Sequence, residues 1–96
     1  MSFSEYYKHY LSLHQNKACR RLHVVGQLAT LAMLALIVWT GYWLLLLILP
    51  FVVYPFAWSG HFFFEHNKPA AFKRPIWAKA CDWIMLWQMI TGKLPL

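Results

Sequence analysis

The stretch LHVVGQLATLAMLALIVWTGYWLLLLILPFVVYPFAWSGHFFF, residues 22–64, contains no Lys, Arg, Asp or Glu. A helix rises ~1.5 Å per residue and a bilayer core is ~30 Å thick, so one crossing takes about 20 apolar residues. The stretch therefore holds two crossings and needs a reversal near its middle. Thr40-Gly41-Tyr42-Trp43 supplies it, because Gly41 permits a tight turn and Tyr42 and Trp43 suit the membrane interface. The expected structure is a transmembrane helical hairpin, with one span over 24–39 and the other over 44–58. Pro50 and Pro55 lie inside the second span. Pro50 is expected to kink it and to free a carbonyl that needs a partner on a neighbouring helix.

Working outward, positive charge flanks both open ends of this run. Lys8, Lys17, Arg20 and Arg21 precede it, and Lys68, Lys73, Arg74 and Lys79 follow it, whereas the turn carries no charge. Positive loops stay on the cytoplasmic side, so both ends of the hairpin are expected there. The N-terminal stretch reads as an amphipathic helix. Ser2 and Glu5 fit a capping box, and Phe3, Tyr7, Tyr10 and His14 share one face. His9 points away from that face, toward solvent. Asn67-Lys68-Pro69 closes the second long helix with Asn67 as its cap, and 69–75 forms a basic loop. A last apolar helix follows; it is short for a span and can cross, re-enter or lie in the interface. The fold class is thus all-α: one integral membrane domain over 1–96, with helices over about 3–14, 20–40, 44–66 and 76–91.

Composition agrees. Only 12% of residues are charged and 60% are hydrophobic, whereas soluble domains carry about 25% charged residues. A small chain has too little interior for that much apolar surface, and lipid takes the excess. The net charge of +6 suits either nucleic acid or anionic lipid. The apolar content favours lipid, and the six Trp fit membrane belts better than a base-stacking surface. Cys19 and Cys81 form no CxxC or zinc pattern and are expected as free thiols on a reducing side. The first twenty residues are too polar for a cleavable signal peptide. Dinucleotide, P-loop and GxSxG motifs are missing, and three scattered acids make no glycosidase pair.

Five histidines remain to be placed. His23 lies at the mouth of the first span and His61 at the mouth of the second, so doubling back brings them to one depth. Glu65 stands at i+4 from His61, and His14 can fold back from the first helix to the same level. Two His with a carboxylate suit non-haem iron(II), and three or four His suit zinc. Ionisable groups near lipid are costly, which points to function. The alternative is that these side chains snorkel to headgroups or cap helices. His66 faces elsewhere and is expected on the surface. Asp82 needs a partner in its apolar helix, either Lys79 at i−3 or a ligand histidine. Gly26 and Gly60 allow close backbone approach beside His23 and His61.

At these residues the chain resembles the small membrane proteins related to the fungal 2-hydroxy fatty acid dioxygenase, which acts in the conversion of phytosphingosine to odd-chain fatty acids. The resemblance rests on Tyr10-Leu11-Ser12-Leu13-His14-Gln15-Asn16, on Leu22-His23-Val24-Val25-Gly26, on Gly60-His61-Phe62-Phe63-Phe64-Glu65-His66-Asn67-Lys68-Pro69-Ala70 and, weakly, on Asp82. It implies an iron(II) enzyme that removes one carbon from a 2-hydroxy fatty acid, with dioxygen as co-substrate. His14, His23, His61 and Glu65 would be its ligands, with Asn67 and Asp82 supporting them; His9 and His66 do not match. Arg20, Arg21, Lys68, Lys73 and Arg74 ring the same level and would attract the substrate carboxylate. Two other readings stand beside it: a haem protein with His23 and His61 as axial ligands, and a non-catalytic module that binds lipid or a partner protein.

Overall fold

The computed structural model describes residues 2–94, and all regular structure among them is helical. Four α-helices follow one another: α1 (Phe3–Ser12), α2 (Lys17–Thr40), α3 (Tyr54–Gly60) and α4 (Pro75–Ile90). Ser2 caps α1, accepting a hydrogen bond from the Glu5 amide at 3.2 Å. Asn16 caps α2 through the Ala18 amide at 2.8 Å. α2 ends where Gly41 takes a left-handed conformation (φ 76°) and returns its N–H to the Ile37 carbonyl. Only a residue without Cβ holds that conformation cheaply.

From Gly41 the chain doubles back along α2, but not as the continuous helix expected over 44–66. The return arm begins as 3₁₀ turns, Trp43–Leu47 and Leu49–Phe51, passes into α3, and ends in a π-helical turn, His61–Glu65. Pro50 and Pro55 explain the break, since each removes a backbone donor and crowds the preceding turn. The pair of spanning helices expected from composition is therefore one continuous helix and one interrupted arm. α2 is the one described helix long and apolar enough to cross a membrane. Its outer face shows Leu28, Leu31, Leu36, Val38 and Trp39, and the return arm adds Leu44, Leu47 and Phe51.

Two glycines set how closely the arms approach. A Cβ on Gly26 would lie 2.9 Å from Val53 Cγ2, and one on Gly60 would lie 3.0 Å from both Cα and Sγ of Cys19. α4 closes the open end of the pair and packs on α1 around Tyr6, Tyr10, Ala78, Cys81, Met85 and Met89. Tyr6 is buried more deeply than Tyr7, because Trp77 of α4 takes its ring edge-on. The buried face of α1 is thus rotated from the one expected. Tyr7 instead donates a hydrogen bond to Gln88. Cys19 and Cys81 are both free and buried.

Candidate metal centre

Each of three histidines reaches one point from a different element. His14 follows α1, His23 lies nearly two turns into α2, and His61 opens the π-helical turn after α3. They are 1%, 4% and 1% exposed, although 47 residues separate the first from the last. His14 Nε2 lies 3.2 Å from His23 Nε2 and 2.9 Å from His61 Nε2. The three potential ligand atoms all fall within 4.8 Å of one another.

The outward-facing nitrogens fix the protonation pattern. His14 Nδ1 meets the Tyr10 carbonyl at 2.6 Å, and His23 Nδ1 meets the Cys19 carbonyl at 2.8 Å. His61 Nδ1 meets Asn67 Oδ1 at 2.6 Å. Asn67 is oriented in turn, since its Nδ2 donates to the Leu13 carbonyl at 3.1 Å. All three acceptors are oxygens without a proton, so each Nδ1 carries the hydrogen and donates. Every Nε2 of a neutral ring then presents a lone pair, and the three lone pairs point at each other. Burial pushes His14 down to about 2, with help from His23, and pushes His61 down to about 4. At neutral pH His14 and His61 are therefore uncharged. A divalent cation would take up the converging lone pairs, and three imidazoles leaving open positions match the donor set of a reactive metal site.

A further layer holds the rings. Tyr10 stacks on His14 with ring centres 3.9 Å apart, and its hydroxyl donates to Asp82 at 3.1 Å. Gln27 donates to the other Asp82 oxygen. Asp82 thus serves neither a ligand histidine directly nor Lys79 alone; it acts through Tyr10. Sequence reasoning missed Gln27, yet a polar residue at i+4 from His23 in an otherwise apolar helix was the available signal.

Glu65 is not brought into the group. Its carboxylate accepts a hydrogen bond from the Asn16 amide, at the N-terminus of α2, where a helix favours negative charge. His9 and His66 are exposed, as expected. His66, not Asn67, is the left-handed residue that ends the return arm (φ 58°). Of the expected carboxylate-binding cations, Arg20 is turned inward, its Nε donating to the His14 carbonyl at 2.5 Å. Lys68, Lys73 and Arg74 line a separate cavity of about 550 Å³.

A family model described as 2-hydroxy-palmitic acid dioxygenase Mpo1-like matches residues 1–94. The chain belongs to the Mpo1-like family. No curated protein and no solved structure matches it. Against that family background the cavity next to the rings is informative. It measures about 30 Å³, space for one or two water-sized ligands beside the histidines. Its walls combine the three imidazoles with Tyr10, Asp82 and Lys79 and with an apolar strip of Val53 and Ala57.

Proposed function

We propose that the chain is an iron(II)-dependent dioxygenase that removes one carbon from 2-hydroxy fatty acids at a membrane surface. His14, His23 and His61 are its metal ligands. The observation that carries this reading is the convergence of three buried imidazole lone pairs on one point. The family description supplies the substrate class, a 2-hydroxy acid with a long tail. Iron bound there would supply the one-electron chemistry that lets dioxygen react with an organic acid. The reaction R–CH(OH)–COOH + O₂ → R–COOH + CO₂ + H₂O balances with the acid as the source of all four electrons, so no second organic co-substrate is required.

The protein's own groups divide the remaining tasks. Asn67 and the Tyr10 and Cys19 carbonyls hold the three rings with Nε2 inward. Glu65 ties the return arm to the start of α2 and so keeps His61 beside His14 and His23. The Tyr10–Asp82–Gln27 group fills the buried side of the site with satisfied polar bonds and keeps bulk water out. The apolar exterior of α2 and of the return arm suits lipid contact, because an uncovered apolar surface of this extent is unfavourable in water. In that setting both ends of the paired arms lie on the cytoplasmic side. Arg20, Arg21, Lys68 and Lys73 form a basic rim that draws acid headgroups toward the site.

The test is oxygen uptake. Purified protein loaded with iron(II) without oxygen, then mixed with 2-hydroxyhexadecanoate in aerated buffer, is expected to consume one dioxygen per pentadecanoate formed. Hexadecanoate lacking the hydroxyl should give none. Equal uptake with both acids, or none with either, contradicts the proposal.

A further inference from the structure

The cavity beside the imidazoles contains a cation that the scheme above leaves without a task. Lys79 of α4 lines it, across from the return arm. Its Nζ donates to the Pro50 carbonyl at 2.7 Å and lies 5.2 Å from the centre of the Tyr54 ring. An ammonium group has three donors, so this bond leaves capacity for a ligand. Trp58 lines the same cavity, and its Nε1–H is buried without an acceptor among the described residues. An indole nitrogen can only donate. Asp82, the one carboxylate in the wall, already receives Tyr10 and Gln27. What this wall still offers a ligand is therefore positive charge and N–H donors. A carboxylate, with two acceptor oxygens and one negative charge, is the complementary group. The rim cations do not fill this role: none of Arg20, Arg21, Lys68 and Lys73 lines the cavity.

We infer that Lys79, together with Trp58 Nε1, recognises the substrate's carboxylate inside the site, while the rim cations only bring it there. The inference rests on the proposed function for the identity of the acid. Val53 and Ala57 of the return arm and Ala78 of α4 line the same cavity as an apolar strip. Lys79 then sets the depth at which the 2-hydroxyl carbon stops.

Equilibrium binding to the purified protein in lipid nanodiscs, with no metal added, tests this without turnover. The probes are 2-hydroxyhexadecanoate and its neutral amide, 2-hydroxyhexadecanamide. Wild type should prefer the acid by at least about tenfold, the order expected of a charge-assisted pair. Lys79→Met should bring the ratio near unity with the amide's affinity unchanged, and Lys79→Arg should restore the preference. Should Lys79→Met fail to fold, Lys79→Gln and Trp58→Phe carry the same readout. Lack of acid preference in wild type, or a full preference in the Lys79→Met or Lys79→Gln protein, overturns the inference. Oxygen uptake is read separately: a Lys79-dependent acid preference in a protein that consumes no oxygen keeps the carboxylate site and removes the dioxygenase.

Discussion

At the scale of single residues, the site depends on which nitrogen of each imidazole carries the proton. Asn67 makes this clear for His61. Its amide oxygen holds the Nδ1 proton, and its amide nitrogen is tied to Leu13. Asn67→Ala should therefore weaken metal binding by ~10- to 100-fold, as losses of such supporting acceptors do elsewhere. Asn67→Asp, which keeps an acceptor oxygen at His61, should retain most of it. Competition titrations with a metallochromic chelator measure the ratio; an unchanged affinity in Asn67→Ala would mean that the His61 ring is held by packing alone. The same burial makes a statement about pH. A free imidazole titrates near 6.5, whereas folded His14 sits at about 2 and folded His61 at about 4. As pH falls below about 6.5 the unfolded chain takes up protons that the folded chain refuses, so stability is lost in that direction and is fully present above it. Thermal melts of the metal-free protein in detergent should give a flat Tm from about pH 8 to about pH 6.5 and a falling one toward about pH 4. A Tm that rises on acidification would contradict the buried, neutral assignment.

Among the elements, the contact between α2 and the return arm decides whether His23 and His61 meet. Gly60 lies against the backbone of Cys19, and a methyl group there would come within 3.0 Å of Cys19 Cα. Backbone cannot yield as a side-chain tip does, so Gly60→Ala should cost about 1–3 kcal/mol and weaken metal binding with it. Gly60→Ala melting within a degree of wild type would show that the arms are looser than described. The arms themselves were legible in the sequence, because an uncharged run of this length with Gly41 at its centre has few alternatives. So was the meeting of His23 and His61, since a chain that doubles back must bring its two mouths together; His14 needed in addition that the first helix fold back to their level. The regularity of the second arm was not legible in detail. Pro50 and Pro55 announced a disturbance, but whether a proline kinks a helix or breaks it into 3₁₀ turns depends on what packs beside it. Glu65 was misplaced for a related reason. Its position at i+4 from His61 suggested a shared helix face, but the segment is a π-helical turn and the Glu65 carboxylate meets the Asn16 amide, 49 residues away. No local pattern carries that contact. Lys79 was overlooked as a cavity residue because its place is set by the way α4 crosses the return arm.

For the molecule as a whole, an apolar shell surrounds a small polar centre near one end. The outer faces of α2 and of the return arm carry large apolar side chains in the open, while the buried polar residues His14, His23, Gln27, His61 and Asp82 gather by the open end of the paired arms. On the proposed reading, that arrangement would set a carboxylate-reading site at the depth where a fatty acid's head rests and leave the tail to the lipid. Membranes from expressing cells washed with alkaline carbonate should retain the chain in the pellet, whereas a surface-bound protein would be released into the wash. The proposed chemistry depends on three histidines from distant parts of the chain binding a single metal ion. Mass-spectrometric metal analysis of protein purified under anaerobic conditions with iron(II) tests it most directly, with His14→Ala, His23→Ala and His61→Ala prepared alongside wild type. One iron per chain in wild type and almost none in any of the three variants is the predicted result. Wild type free of metal, or variants that keep a full complement of it, would contradict the claim.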